Sequence, residues 1–314
     1  MANSELKIFS GSSNPELGAN IIKYLRVEPG KIKISRFAGG EIYARLLDNV
    51  RGHSCVIIQT CTEKVNEDLM ELFIIIDAMK RASARSITAV IPHFGYARQD
   101  RKAASREPIS ARLVANLLES AGADRIIAMD LHSDQIQGFF NIPVDTLTAL
   151  PLFTSYLKQK NLKDVVVVAP DTGRAKVAKK LADRIGAHLA ILHKVRADHH
   201  QSDITHVVGD VKGKTVVITD DMIDTAGTIT AGVDALRQAG CNDGMYVVAT
   251  HGILSGSAVE KMKKANFKEA VFSDSVPIPK EKQFKGVTIL SSAEILGEAI
   301  RRNFENKSIS SLFD

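Results

Sequence analysis

Runs such as CVIIQT, ITAVIPHFGY, VVVVAP and TVVITDD constrain this chain more than any other feature. They are continuously apolar and rich in Val and Ile, where a half-exposed strand would alternate. Strands of that kind belong to parallel sheets covered on both faces by crossover helices. Helical patterns follow at the required places: NPELGANIIKYL after KIFSG, NEDLMELFIIIDAMKRA after CVIIQT, PISARLVANLLESAG after ITAVIPHFGY, then a strand RIIAMDLH. The rhythm restarts after NIPVDTLTALPLF, with VVVVAP before RAKVAKKLADRIG, a strand near HLAILHK, TVVITDD before TITAGVDALRQAG, and MYVVATHG. Asn14 before Pro15 reads as an N-cap followed by an N1 proline, and Gly122 as a helix C-terminus. The 314 residues exceed what one core usually supports. The prediction is therefore two doubly wound α/β domains, residues 1–147 and 148–314.

Composition narrows the class of function. Lys and Arg number 41 against 36 acids, a net charge of +5 spread along the chain. That favours small anionic ligands over nucleic acid, for which no basic or aromatic face is visible. Cys55, Cys61 and Cys241 lack CxxC spacing and read as reduced thiols. The start MANSELKIFSGSSN has no apolar h-region, and no segment approaches the roughly 20 apolar residues of a membrane span. A cytoplasmic protein with no membrane partner is the expectation.

In open parallel sheets, ligands bind beyond the carboxyl ends of the strands. Polar groups stand at those places: Ala97-Arg98-Gln99-Asp100, then Asp130 and His132, Asp171, and Asp220-Asp221. The last pair leads into Asp224-Thr225-Ala226-Gly227-Thr228, a turn between an apolar strand and an amphipathic helix. The unpartnered amides of a first helical turn, reached past small side chains, suit a phosphate. A plain βα turn capped by Asp or Thr is the blander reading, but it leaves the acid pair unexplained. Adjacent carboxylates on a strand point in opposite directions, so at least one could accept from vicinal hydroxyls or hold a hydrated Mg2+. A sugar phosphate satisfies both parts.

At this loop the chain resembles both phosphoribosyltransferases and the enzyme that makes their substrate. FGYARQDRK at 94–102 and DLHSDQIQGFF at 130–140 closely resemble class I ribose-phosphate diphosphokinases, as do NEDLMEL, SREPIS, IPVD, APDTGRAK, DDMIDTAGTI and THGILSG in the same order. The resemblance runs essentially end to end. It implies two domains of the type I phosphoribosyltransferase-like kind, and transfer of the β,γ-diphosphoryl group of MgATP to the C1 hydroxyl of ribose 5-phosphate.

Residue by residue, the resemblance implies that the amides of Thr225, Ala226, Gly227 and Thr228 hold the 5-phosphate. It has Asp220 and Asp221 face the ribose hydroxyls and Asp224 support loop and substrate. Arg98 and Gln99 match an ATP-contacting pair. Phe37, Ala38, Gly39, Gly40 and Glu41 take the place of an adenine loop supplied by a neighbouring subunit, with Phe37 stacking on adenine and Glu41 accepting from it. Ala38 and Gly39 stand where the family usually carries Ser then Asp or Asn. His132 and Asp171 match metal-associated positions, for Mg2+. Lys194 and Arg196, in a stretch LHKVRADHHQSD that reads as a mobile loop, match the cations over the transferring group, and Arg196 also serves the ribose phosphate. Arg174 stands where many members have a second glycine, and either contacts a phosphate or points outward.

Arg51, Ser83, Arg106, Ser308 and Ser310 match an intersubunit site through which phosphate activates and ADP inhibits. The resemblance thus implies a homohexamer. Two rivals are a phosphoribosyltransferase, which would not need FGYARQD or DLH, and a non-catalytic subunit on the same fold.

Overall fold

The computed structural model describes residues 5–195 and 204–312. It divides into two compact units: residues 1–148 with 275–277 and 291–314, and residues 149–274 with 278–290.

The first unit opens with β1 (Leu6–Ser10) and α1 (Pro15–Leu25), whose N-cap Asn14 accepts a hydrogen bond of 3.2 Å from the Leu17 amide. An antiparallel hairpin of β2 (Ile32–Arg36) and β3 (Ile42–Leu46) follows, then β4 (Ser54–Ile58), α2 (Val65–Arg81), β5 (Ser86–Ile91), α3 (Ser110–Ala121), β6 (Arg125–Met129) and β7 (Val144–Leu147). The main sheet has the order β1-β4-β5-β6-β7, every pair parallel. Gly122 closes α3 in the left-handed region (φ 118°), where a side chain would be strained. Ile57, Leu72, Ile75, Ala89 and Ile126 are among the residues that fill the core between the sheet and α2 and α3.

The second unit holds α4 (Leu150–Gln159), β8 (Val165–Ala169), α5 (Ala175–Ile185), β9 (His188–Val195), β10 (Ile204–Val208), β11 (Thr215–Ile223), α6 (Gly227–Gln238), β12 (Tyr246–Gly252), α7 (Ala258–Ala265), β13 (Glu269–Ser273) and β14 (Val287–Leu290). Its order is β10-β9-β8-β11-β12-β13-β14. All pairs are parallel except β10 with β9. Val166, Val168, Val216, Ile218 and Val247 are fully buried, as continuous apolar strands require.

Three features go beyond the expectations or depart from them. The FAGGE stretch is the turn of the β2–β3 hairpin, with Gly40 at φ 92°. Residues 192–195 are strand, because ITHVV pairs with them antiparallel from Ile204↔Val195 to Val208↔Ile191. The final helix α8 (Ala293–Phe304) lies in the first unit, where Tyr24 of α1 donates 3.3 Å to Glu298. The division expected at 147/148 places that helix in the second domain instead.

Candidate active site

The second unit concentrates acids at neighbouring strand ends. β8 and β11 are parallel partners up to Val168↔Ile218, so the turns that follow them emerge side by side. After β8, Asp171 caps a short 3-10 turn, Thr172–Arg174, its Oδ1 accepting 3.0 Å from the Arg174 amide. On β11 stand Asp220 and Asp221, with 15% and 3% of their side chains exposed. Arg174 does not point outward: its side chain is 15% exposed. Its Nη2 lies 2.5 Å from Asp221 Oδ2 and its Nε 3.5 Å from Asp220 Oδ1.

Strand alternation predicts that the two carboxylates diverge. A guanidinium is a planar fork with donors on several sides, so one Arg174 still reaches an oxygen of each. The Asp221 amide also donates 2.8 Å to Asp220 Oδ1. Burial, with the hydrogen bond and negative charge of Asp221, pushes the Asp220 carboxyl well above the usual carboxylate range, and Arg174 opposes that shift. Unit charges 4 Å apart interact by about 4 kcal/mol at an effective dielectric of 20, so the Arg174 cation offsets part of the cost of holding two acids together.

Beyond β11, the chain turns through Asp224 and Thr225 to Ala226, the left-handed N-cap of α6 (φ 59°). No side chain caps this helix, so the Asp-or-Thr cap of the blander reading is not what forms. Asp224 is held elsewhere: its Oδ1 accepts from the Ser255 hydroxyl, and its carbonyl accepts 3.0 Å from the Ser255 amide. Thr225, Gly227 and Thr228 are exposed, and a Cβ at Gly227 would meet nothing closer than Thr225 Oγ1 at 3.8 Å. The mouth of α6 is open to an anion. Lys194 is on β9 opposite Thr205. Arg196 lies outside the described residues.

The first unit carries the remaining positions. Arg98 and Gln99 are exposed after β5, and Gln99 Oε1 accepts from the Ser110 hydroxyl at the start of α3. Tyr96, at φ 63°, turns the chain there and donates to Asn66. His132 is half-buried beyond β6, next to Asp130, which accepts 2.8 Å from Thr148. Phe37 is 56% exposed at the hairpin tip, edge-on to Tyr43 at 5.7 Å, and Ala38, Gly39, Gly40 and Glu41 are exposed beside it. The turn holding Arg51 meets Ser83 through a 2.9 Å bond from the Gly52 amide, and Ser308 donates 3.1 Å to Ser310. Arg106 is exposed in the left-handed region (φ 66°). Among the described residues, no three His, Cys, Asp or Glu side chains form a metal-binding group, and no helix is long and apolar enough to cross a membrane.

Comparison with known proteins decides the family. Residues 6–122 match the N-terminal domain of ribose phosphate pyrophosphokinase, and residues 200–314 the phosphoribosyl synthetase-associated domain. The chain is 48% identical over 311 residues to the ribose-phosphate pyrophosphokinase of Bacillus subtilis, covering 99% of this chain and 98% of that one. It belongs to the ribose-phosphate pyrophosphokinase family. The Corynebacterium ammoniagenes pyrophosphokinase is likewise 48% identical over 312 residues, covering 99% of this chain and 98% of that one. The crystal structure of phosphoribosylpyrophosphate synthetase from Mycobacterium smegmatis superposes with a TM-score of 0.91 at 46% identity, covering 96% of this chain and 99% of that one. Within this pyrophosphokinase fold, two features escaped the motif reading. One is the Arg174 clamp, and the other is Ser255, whose only signal was its place in THGILSG at the end of β12, beside β11.

Proposed function

We propose that this pyrophosphokinase transfers the β,γ-diphosphoryl group of ATP to the C1 hydroxyl of ribose 5-phosphate, for nucleotide biosynthesis. The observation that carries the reading is the acid pair at the end of β11 running directly into the open N-terminus of α6. The 5-phosphate sits on the amides of Thr225 to Thr228, while Asp220 and Asp221 accept from the sugar hydroxyls and Asp224 braces the loop. This separation keeps acids and phosphate apart.

In the reaction, the C1 oxygen bonds to the β-phosphorus, the bond from that phosphorus to the α,β-bridging oxygen breaks, and AMP leaves with the electrons. The hydroxyl proton passes to solvent. Lys194 and Arg196 stabilise the charge that builds on the transferring group, a role worth about 10³ to 10⁵ in rate in related phosphoryl transfers. Arg98 and Gln99 hold ATP, and the hairpin tip Phe37 to Glu41 meets the adenine of a neighbouring subunit.

Mg2+ suits an exposed carboxylate such as Asp171. This ion is usually held by one or two carboxylates with substrate phosphates completing its shell, so a three-ligand protein cage is not required. Asp171 supplies an exposed carboxylate and His132 the second metal-associated position. When bound with ATP, Mg2+ neutralises phosphate charge and orients the diphosphoryl group.

Self-association is supported by the exposed apolar residues Ile109, the N-cap of α3, and Leu113 and Leu117 within it, at a four-residue spacing; the hexamer follows from the resemblance. Phosphate and ADP act as effectors at Arg51, Ser83, Arg106, Ser308 and Ser310. The setting is the cytoplasm. Incubating the purified chain with MgATP, ribose 5-phosphate and phosphate tests the reading: AMP and phosphoribosyl diphosphate are expected in equal amounts, and no AMP would overturn it.

A further inference from the structure

Arg174 ties two parts of the second unit together. Its amide is fixed on Asp171 Oδ1 at 3.0 Å, which holds the residue at the end of the 3-10 turn. Its guanidinium crosses to the adjacent strand end and meets both Asp220 and Asp221. The contact needs no long arm, because β8 and β11 are hydrogen-bonded neighbours. All three side chains are largely withdrawn from water, with 15% of Arg174 and Asp220 and 3% of Asp221 exposed. An ionised carboxylate so enclosed is costly without a counter-ion, and a hard divalent cation is the ordinary alternative to a guanidinium at a pair of carboxylates.

We infer that Arg174 is a built-in cation at the Asp220–Asp221 pair. It takes the oxygens that a divalent ion would otherwise occupy, and holds both carboxylates in place as acceptors for uncharged hydroxyls. It is a positioning residue that acts through the two acids. Guanidinium and metal compete for the same oxygens, so removing one should admit the other. Glycine, the residue many members of the family carry here, would leave the pair open.

The test needs no substrate. Mn2+ is titrated into the substrate-free protein, and the free ion is counted by electron paramagnetic resonance. The wild-type count should not change on Asp221→Asn. Arg174→Gly should gain one tightly held Mn2+ per chain, and adding Asp221→Asn to that variant should abolish the gain. Arg174→Gln keeps an amide donor but removes the charge, so it carries the same expectation if Arg174→Gly does not fold. Equal counts in wild type and the folded Arg174 variant would overturn the inference, as would a wild-type ion that Asp221→Asn removes.

A second arm rests on the proposed function. In Arg174→Gly the KM for ribose 5-phosphate should rise about tenfold at low free Mg2+, the equivalent of one charge-assisted hydrogen bond. Excess Mg2+ should restore it, while the KM for ATP stays within about twofold. A wild-type enzyme with the same free-Mg2+ dependence would contradict the role. Absence of any reaction would unseat the proposed function but leave the Mn2+ count to stand.

Discussion

Ser255 grips Asp224 twice, its hydroxyl donating to the carboxylate Oδ1 and its amide donating 3.0 Å to the carbonyl oxygen. Asp224 opens the turn to α6, so the grip sets where the first amides of that helix stand. A hydrogen bond to a charged group contributes about 1.5–3 kcal/mol, and 1.4 kcal/mol is tenfold in affinity. Ser255→Ala should therefore raise the KM for ribose 5-phosphate about tenfold, with the KM for ATP nearly unchanged. Steady-state kinetics with each substrate varied in turn check this. An equal rise in both constants would point to general disorder.

A second prediction concerns the loop after β1. Glu71 is 3% exposed on α2. Its Oε1 accepts 2.7 Å from the Ser12 amide and 2.9 Å from Gln59 Nε2, and its Oε2 accepts 2.6 Å from the Ser12 hydroxyl. Gln59 in turn accepts from the Ser13 amide and hydroxyl. Gly11 is required beside it, since a Cβ there would lie 2.2 Å from Gln59 Oε1. Truncating Glu71 removes an acceptor from the buried Gln59 amide and from the amide and hydroxyl of Ser12, which is itself exposed. Glu71→Ala should cost about 2–4 kcal/mol in urea unfolding, and Glu71→Gln less. A loss under about 0.5 kcal/mol, the size of an ordinary surface change, would show that the network is idle.

Acid sensitivity should trace partly to Glu269. Burial pushes its carboxyl up, but hydrogen bonds from Thr288, Tyr156 and Lys160 outweigh that and hold it below its ordinary value. Thr288 donates at 2.5 Å, and Lys160 Nζ lies 3.0 Å from Oε2. Because the folded value is the lower one, the unfolded chain takes up the proton first as pH falls. The stabilisation is complete above the ordinary glutamate range, near pH 4.5, and is lost as pH falls through the folded value. Melting temperature measured from pH 7 to pH 3 should fall less steeply in Glu269→Gln than in wild type. Parallel acid limbs would contradict this.

Much of the scaffold was legible because its signals are local. Runs such as VVVVA and VVIT cannot sit at a half-wet face, and Asn14, Pro15 and Gly122 mark helix ends through their own backbone chemistry. The β2–β3 hairpin was legible in principle, since KIKIS and IYARL alternate around a Gly-Gly turn, but the surrounding continuous strands set a different expectation. The return of α8 to the first unit is tertiary. It depends on Gly297 passing close to Tyr24, where a Cβ would lie 2.5 Å from Cδ1, and no local pattern announces such a partner. Within the site, strand ends pointed to Asp171, Asp220 and Asp221, whereas the destination of Arg174 follows from which strands are neighbours.

Lys194, on β9 opposite Thr205, is assigned to the transition state rather than to ATP binding. Lys194→Ala should lower kcat by about 10³ or more while the KM for ATP changes only a few-fold. Rapid-quench and steady-state rates check the split. Near-normal kcat with a large rise in KM would move Lys194 to the nucleotide site.

The central claim is which phosphorus is attacked. Phosphorus NMR of the purified chain with MgATP, ribose 5-phosphate and inorganic phosphate follows every phosphorus at once. AMP should appear together with an intact diphosphate on C1 of the sugar. ADP appearing with a ribose bisphosphate, or ATP remaining unchanged, would contradict it.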